Sequence, residues 1–557
     1  MDGIKGHRIK NDELRQVFVK PCKNSLYLSA AVALVVVAAP YQAFALNLYN
    51  GSNNGNNLEI NLTTTLSYTG MYRVNDPSKT LLGTDGDSNF KHGIVGNLFE
   101  AVPVLDIRDG DYGVHFSGQL YINTPYLGTN QNSQVPYANA IYVPKENDFA
   151  SATRNIEGEN AQLLDAFIYG RHDFSDGQAV QFKLGRQVLF WGQSLFFATD
   201  GISGGQAPIN LVSAQNLINP QAQQVFMPVG QAVATYEPRP GTTIQGYYQF
   251  EWRPDYFQAE GAYFNGADIL DRGASFFNFG GLVGLLRTGD NTPEGQNGQF
   301  GLSFQQQVGE WDLGIYGERF DAKAPEIGIA PGSNPYTVIP GGHGAASIGT
   351  YQLVYPRDIW LQGVSFSTNF GPANVAGELS FREHQPLVAS ISGLYPLAPD
   401  QNANNNPGYP VGTTWDAQLS TIYLSPPLPL DPGGVSFAGE VLLNHLISVT
   451  QNRALLATGH QATAGAFDFS ITPTYNNVLP NLQITVPIGL QYDFLGRSMV
   501  DSTLYHGNAT FDVGVTATYR VNWIATLAYQ DYLGKPDPVN NALADRGFVS
   551  LNLQHTF

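Results

Sequence analysis

The chain has 557 residues, 46 of them acidic and 28 basic, and its formal net charge of −18 without a basic patch excludes nucleic acid as a partner. Its single cysteine excludes a disulfide framework. Only 13% of the residues are charged, about half of the ~25% usual in soluble domains, which indicates a protein with one lipid-facing and one hydrated side.

The first 45 residues are typical of a secretory signal. Basic residues between Lys5 and Lys23 precede an uncharged run over residues 25–39. This run is shorter than the roughly 20 apolar residues that a membrane-spanning helix needs. Ala43-Phe44-Ala45 then supplies the small residues that a signal peptidase accepts. We therefore predict a signal peptide over 1–45 and a mature chain over 46–557.

Alternating polarity recurs from Leu58 to the C terminus. Between Leu58 and Tyr72, aliphatic and aromatic residues share one face, and Glu, Asn, Thr and Ser share the other. Side chains of a strand point alternately to its two faces, so each such segment predicts a strand with one apolar face. About 16 to 18 segments fit, joined by short turns or long polar loops. The sequence predicts an all-β fold, a single transmembrane antiparallel β-barrel. A soluble periplasmic sandwich or propeller would carry more lysine and glutamate.

The alternation fails between residues 185 and 229. Gly185 to Phe197 begins as a strand and then becomes apolar on both faces, and a glycine-rich stretch and a short helix within 208–220 follow. Such a segment does not suit a wall with a hydrated lumen, and an external loop of this kind would be unusually hydrophobic. We predict that it folds inward as a constriction or plug. A β-bulge at Gly185 would turn Arg186 inward.

The last ten residues, Phe548 to Phe557, alternate again and end on an aromatic residue. Their odd-numbered positions are apolar apart from His555, and the even-numbered positions from Ser550 to Thr556 are polar. This is the pattern of the closing strand of an outer-membrane barrel, and it makes Phe557 the residue of barrel closure. His555 is expected on the lipid side near an interface, where an amphipathic ring is tolerated.

An ordered set of motifs carries a family resemblance. The motifs are GRQVLFWGQSLFF from Gly185, GYYQFEWRP from Gly246, YQLVYPRDI from Tyr351, GELSFR from Gly377 and the closing DRGFVSLNLQHTF. Together they resemble a proteobacterial family, the domain of unknown function family 1302, over essentially the whole mature chain. The resemblance implies an outer-membrane barrel, related to exporter and lipid- or steroid-handling systems, with no agreed substrate and no catalytic residues.

Signals for catalysis are weak. Gly201-Ile202-Ser203-Gly204-Gly205 fits the G-x-S-x-G pattern of hydrolases, but that motif needs a strand–turn–helix elbow and a partner histidine. In a glycine-rich stretch a chance match is the simpler interpretation. The ten histidines show no metal-ligand spacing. We therefore predict that the protein is not an enzyme and has no cofactor or metal; an outer-membrane hydrolase using Ser203 is the hypothesis that this leaves aside.

The predicted function is an outer-membrane channel for passive passage of hydrophobic or amphipathic small molecules. The alternative is an accessory barrel of an export or lipid-trafficking complex, without free pore activity. Expected partners are outer-membrane lipid, the barrel-assembly machinery and, for the alternative, a periplasmic or exporter protein. Lumen charges of both signs should pair, because an unpaired buried charge is costly. The candidates for the lumen and its constriction are Arg186, Trp191, Phe196, Phe197, Glu251, Arg253, Glu378, Arg382, Glu440, Asp512 and Arg520.

Overall fold

The computed structural model describes residues 46–51, 57–81, 84–135, 137–293, 298–332, 337–390, 406–427 and 433–557. The signal peptide predicted over 1–45 lies outside the described residues. Within the described ranges, no helix has the length and apolar character needed to cross a membrane.

Eighteen strands form one closed antiparallel sheet. In chain order they are β1 Leu58–Arg73, β2 Gly93–Asp109, β3 Tyr112–Asn123, β4 Glu159–Asp173, β5 Ala179–Gln187, β6 Val229–Arg239, β7 Thr242–Gln249, β8 Gln299–Val308, β9 Trp311–Phe320, β10 Ile359–Phe370, β11 Ala373–Pro386, β12 Val411–Leu424, β13 Val435–Gln451, β14 Thr463–Leu479, β15 in two halves (Leu482–Thr485 and Ile488–Leu495), β16 Ala509–Tyr519, β17 Trp523–Leu533 and β18 Phe548–Thr556. Each strand pairs with the next, and β18 pairs with β1. The prediction of an antiparallel barrel that starts at Leu58 is confirmed.

The seam between the first and last strands closes the barrel. The ladder runs from Arg73↔Phe548 to Thr65↔Thr556. Beyond it, Thr64 and Phe557 exchange both of their backbone hydrogen bonds, at 2.8 and 3.1 Å. A short strand, Leu46–Asn50, then pairs with the rest of the same edge of β1. The terminal Phe557 thus lies at the closure, and residues 46–50 continue the seam past it.

The outer surface of the barrel is apolar. Its outward positions carry exposed aliphatic and aromatic side chains, for example Leu302, Ile315 and Val364. Such a band would be unfavourable in water and is typical of a surface that contacts lipid. At the C-terminal end of this face, His555 stacks on Trp523 with ring centroids 4.1 Å apart.

The two rims of the barrel differ. One rim has tight turns, such as residues 110–111, 309–310 and 371–372, and the other has long connections, such as 124–158, 188–228 and 250–298. In bacterial outer-membrane barrels the short turns are periplasmic and the long loops extracellular. We call the two ends the short-turn rim and the long-loop rim.

The long connections contain the remaining elements. Five short strands form a second sheet at the long-loop rim: Phe276–Asn278, Val283–Arg287, Glu326–Pro331, Thr337–Val338 and Ala346–Val354. The helical turns are Asp85–Asn89, Thr124–Tyr126, Ser151–Thr153, Arg154–Gly158, Ile202–Gly205, Leu211–Asn216, Ala222–Val225 and Arg453–Leu455. The largest apolar cluster among the described residues packs Phe90, Tyr126 and Tyr263 of these connections against strand residues such as Met71 and Phe548. The apolar core is therefore inside the barrel, not between two layers of sheet.

Candidate functional site

Residues 188–228, which join β5 to β6, lie inside the barrel, and we call them the inner segment. They include the turn Ile202–Gly205 and two short helices, Leu211–Asn216 and Ala222–Val225. Most of their side chains are buried. The side chain of Asn210 caps the first helix by accepting a hydrogen bond from the backbone N–H of Ser213 at 3.2 Å. The inward fold and the short helix within 208–220 were both predicted from the failure of alternation.

Two glutamates on the barrel wall bind the backbone of the inner segment. Glu440 on β13 accepts hydrogen bonds from the backbone N–H groups of Leu195, Phe196 and Phe197, of which the first and last measure 3.0 and 2.9 Å. Three successive N–H groups on one carboxylate form an anion-binding nest. Such charge-assisted hydrogen bonds are roughly twice as strong as neutral ones.

Glu378 on β11 binds the other side of the same loop. It accepts from the backbone N–H groups of Gln193, Ser194 and Ile202, the last two at 3.0 and 2.8 Å. Glycines make this approach feasible. A Cβ added to Gly192, whose φ is +84°, or to Gly201 would overlap the Glu378 carboxylate. The glycine-rich stretch therefore serves the contact between the inner segment and Glu378.

The carbonyl groups of this loop are bound by neighbouring wall residues. Arg382 donates to the carbonyl oxygens of Thr199 and Gly201 at 3.1 and 2.8 Å. Gln418 on β12 donates to the carbonyl oxygen of Phe197 at 2.8 Å. The same arginine lies 3.8 Å from Asp416. The expectation that Glu378, Arg382 and Glu440 would pair with opposite charges is therefore wrong in its main part, because the two glutamates bind backbone N–H groups.

The far end of the inner segment contacts the opposite wall. Gln224 donates to Glu100 on β2 at 2.6 Å, and Glu100 also accepts from Ser67 and Gln119 at 2.9 and 2.5 Å. Asn219 donates to Thr526 on β17 at 3.3 Å. The inner segment thus reaches from β11–β13 to β1–β3 and β17, across the width of the lumen.

Trp191 anchors the start of the inner segment in an aromatic cluster. Its indole N–H donates to Gln245 at 2.6 Å, and its ring centroid lies 5.1 Å from that of Tyr247 and 5.8 Å from that of Tyr316. Gln206 accepts from the backbone N–H of Trp191 and donates to Glu318 at 3.0 Å. The tryptophan is therefore held between β7 and β9, with Phe196 and Phe197 buried in a separate cluster against β13 and β14.

The other candidates lie away from these anchors. Arg186 pairs with Glu251 at 2.5 Å near the long-loop rim. The register of β5 with both neighbours runs through Gly185 and Arg186 without a shift, so the predicted bulge is absent, although Gly185 has a φ of +131°. Arg253 follows β7 and donates to Pro228 and Tyr256.

Of the two remaining candidates, Asp512 lies on the inner wall and Arg520 does not. Asp512 is buried on the inner face of β16. Arg520 is not on the lumen wall, because β16 ends at Tyr519 and the arginine occupies the exposed turn that follows, 5.2 Å from the ring centroid of Tyr519. Alternation counted through the turn placed it wrongly.

Sequence reasoning missed Glu100 and Glu318. Both point inward from strands whose alternation is as regular as that around Glu378, so counting every second residue along β2 and β9 would have found them. Alternation shows which carboxylates point inward, but it does not show which of them contact the inner segment. Those contacts depend on the pairing of strands that are distant in sequence.

Ser203 does not stand in the geometry of a nucleophile. It lies in the turn Ile202–Gly205, not between a strand and a helix, and its hydroxyl donates to the carbonyl oxygen of Ala198 at 2.9 Å. Among the residues that the structure describes, no three His, Cys, Asp or Glu side chains are grouped so that they could hold a metal ion.

The family model for a protein of unknown function, DUF1302, matches residues 26–557. The chain belongs to the DUF1302 family. No curated protein matches the sequence. Among solved structures, the chain is similar to Acinetobacter baumannii OccAB2 (9% identity, TM-score 0.43, 90% of this chain and 98% of that one) and to a BenF-like porin from Pseudomonas fluorescens (10%, 0.40, 90% and 98%). It is also similar to Pseudomonas aeruginosa OccD3 (11%, 0.37, 94% and 95%). Likeness of this degree says nothing of function.

This DUF1302 barrel is an outer-membrane protein by its own geometry. A closed sheet satisfies all backbone groups of its strands, and its lipid-facing side chains are apolar. The tight turns at one rim and long loops at the other complete the pattern of bacterial outer-membrane barrels.

A buried acidic cluster lies among the long loops of the DUF1302 barrel. Asp85 accepts from three backbone N–H groups between Ala138 and Ala140, at 2.6 to 2.8 Å, and its own N–H donates to Asp268 at 2.9 Å. Burial and the nearby Asp268 raise the pKa of Asp85 to about 7. Burial and Asp268 likewise raise the pKa of Asp271 to about 7, and burial with three neighbouring carboxylates raises the pKa of Glu260 well above its usual value.

These pKa shifts predict that the loops loosen as the pH rises. Below about pH 4 the carboxyls are neutral whether the loops are folded or open. Between about 4 and 7 the open state loses protons that the folded state keeps, so the stability of the loops falls with rising pH and levels off above that window. Hydrogen exchange of residues 259–275, corrected for the intrinsic effect of pH, should be faster at pH 8 than at pH 5. In Asp271→Asn the corrected exchange rate should depend less on pH. The same pH dependence as in the wild type would contradict the role of the Asp271 carboxyl.

Proposed function

We propose that this barrel is an outer-membrane channel for passive passage of hydrophobic or amphipathic small molecules, and that the inner segment forms its constriction. The observation that carries the proposal is the course of the inner segment, which is hydrogen-bonded to Glu378 and Glu440 on one wall and to Glu100 on the opposite one. A solute that crosses the lumen must pass beside this segment. The channel does no chemistry, and its residues act by shape, polarity and charge.

The two sides of the lumen wall differ in polarity, and this difference favours passage of an amphipathic solute. On β6–β10 the inner segment packs against apolar and aromatic side chains, including Val233, Tyr247 and Leu361. On β12–β18 the inner face carries buried hydroxyl and amide groups, including Thr414, Thr510 and Asn552. A lumen wall with one apolar and one polar side favours molecules that have both kinds of surface.

Single-channel recording of the full-length mature protein in planar bilayers tests the proposal. The neutral amphipath 4-nitrophenyl glucoside should interrupt the current, whereas glucose, which lacks the aromatic group, should not. Trp191→Ala should weaken this block by about two- to tenfold, because it removes an aromatic contact of roughly 0.5–1.5 kcal/mol that holds the start of the inner segment against β7 and β9. Trp360→Ala is the matched control, because Trp360 is exposed on the outer face.

Removal of residues 195–215 tests the constriction itself. The deleted loop carries the N–H groups that bind Glu440, so conductance should rise. Unchanged conductance and selectivity would overturn the constriction. An intact barrel that conducts no ions in either form, and copurifies with a periplasmic or inner-membrane protein, would instead favour the accessory barrel of an export or lipid-trafficking complex.

A further inference from the structure

The inner face of the barrel is charged asymmetrically. On β9–β16 it carries eight acidic side chains, and the single Arg or Lys on the inner face of these described strands is Arg382. On β1–β8, by contrast, the inner face includes Arg73, Arg108, Arg171 and Lys183 beside its acidic residues. The eight acidic residues on β9–β16 are Asp312, Glu318, Glu378, Asp416, Glu440, Asp468, Asp493 and Asp512.

Strand pairing places two of these acidic groups side by side in one row of inward side chains. Glu440 on β13 is directly opposite Asp468 on β14, Asp468 is opposite Gln491 on β15, and Gln491 is opposite Thr510 on β16. Side chains directly opposite on one face of a sheet lie about 4.5–5.5 Å apart at Cβ, and like charges so placed repel each other. Two carboxylates side by side therefore create a region of strongly negative potential on this wall.

The row ends beside polar atoms that have no hydrogen-bond partner among the residues that the structure describes. The Thr510 side chain is fully buried, and its hydroxyl has no hydrogen-bond partner. Two residues further along the same face, Asp512 is 8% exposed and its Oδ1 likewise has none. Opposite Asp512 on β15 stands Gly489, which has no side chain to contact it. A buried hydroxyl and a buried carboxylate oxygen left unpaired are costly unless a ligand contacts them.

We propose that the wall formed by β13–β16 binds the positively charged group of a solute at Thr510 and Asp512, and that the channel is therefore selective for cations and cationic amphipaths. A hydroxyl and a carboxylate together offer oxygen acceptors to an ammonium group, and Asp468 adds negative potential along the row. The aromatic side chains on β7 and β9 face the same lumen and suit the apolar part of such a molecule. This inference rests on the proposed channel function and adds the substrate class.

Ion selectivity of the full-length protein tests the inference. With a KCl gradient across a planar bilayer, the reversal potential should give a preference for K⁺ over Cl⁻ of roughly tenfold, as expected when one sign of charge lines a narrow path. Asp512→Asn should reduce the preference by about threefold, and Thr510→Val should weaken block by ethylammonium, whose N–H groups can donate to the hydroxyl. Asp176→Asn is the matched control, because Asp176 is exposed in a short turn. Anion preference, or equal effects of the two Asp→Asn variants, would overturn the inference.

A binding measurement separates this inference from the channel function. The fluorescence of ethidium, a cationic aromatic probe, should report binding to the detergent-solubilised barrel, and fluorescein, an anionic one, should not bind. If neither the full-length protein nor the variant lacking 195–215 conducts ions, the channel function fails, while ethidium binding that is lost in Asp512→Asn still supports the cation site. Ethidium binding that Asp512→Asn leaves unchanged would overturn the cation site, whatever the conductance.

Discussion

Replacement of both anchoring glutamates, Glu378→Gln with Glu440→Gln, should open the lumen and raise single-channel conductance several-fold. Between them the two carboxylates accept hydrogen bonds from six backbone N–H groups of the inner segment. A glutamine has one acceptor oxygen, and its NH₂ group would face donors. Each N–H group left buried without a partner costs about 1–3 kcal/mol, and the remaining bonds lose their charge assistance. The loop around residues 193–202 should then leave the wall.

Two measurements check this result. Conductance in planar bilayers should increase, and hydrogen exchange of residues 193–202 should become faster while the barrel strands stay protected. The matched control is Glu146→Gln with Glu310→Gln, since both of these glutamates are exposed in connections. An independent variant, Gly201→Ala, should act in the same direction, because its Cβ would overlap Glu378. Wild-type conductance in the double variant would show that the two glutamates do not hold the constriction closed.

Replacement of Arg546 by methionine should release the loops at the long-loop rim. Arg546 is fully buried, and its Nε lies 3.2 Å from Asp87 and 3.4 Å from Asp545, while its Nη2 donates to Thr84 at 2.8 Å. Arg73 at the end of β1 pairs with the same two aspartates at 2.8 and 3.3 Å. Removing one partner from a buried charge network typically costs about 3–5 kcal/mol, because the remaining charge is left uncompensated.

The loss should be local. The ring of Tyr263 contacts both arginines, with their Cζ atoms 5.7 and 5.6 Å from its centroid, so the variant should expose the loop around Tyr263 as well as residues 84–92. The ladder between β1 and β18 does not depend on Arg546, so the barrel should stay closed. Hydrogen exchange resolved by peptide checks both statements. Arg453→Met is the control, because Arg453 is exposed. The exchange rate of these loops in Arg546→Lys should lie between the rates in the two methionine variants, since lysine keeps the charge of arginine but not its planar guanidinium group. Equal exchange in both methionine variants would contradict the role of the network.

Alternation alone predicted the barrel, its first strand and its closure at Phe557, because the period of two is a local property of strand geometry. The inward course of the segment after Gln187 was also readable, since its apolar residues on both faces suit neither lipid nor a hydrated wall. Counting alternate residues gave a wrong position where a strand ended. Arg520 continues the alternation of β16 in sequence but lies in a turn, and Gly185 takes a positive φ without adding a bulge.

What the sequence by itself determined is therefore which side chains face inward and which face lipid. Only the tertiary structure decided which of them meet. Glu440 binds a loop more than 240 residues earlier in the chain, and Arg73 on the first strand and Arg546 just before the last strand share Asp87 and Asp545. Such contacts depend on the closure and register of eighteen strands, and no periodicity within one strand specifies them. For the same reason the row from Glu440 through Asp468 to Thr510, with Asp512 beside its end, became visible only when neighbouring strands were aligned.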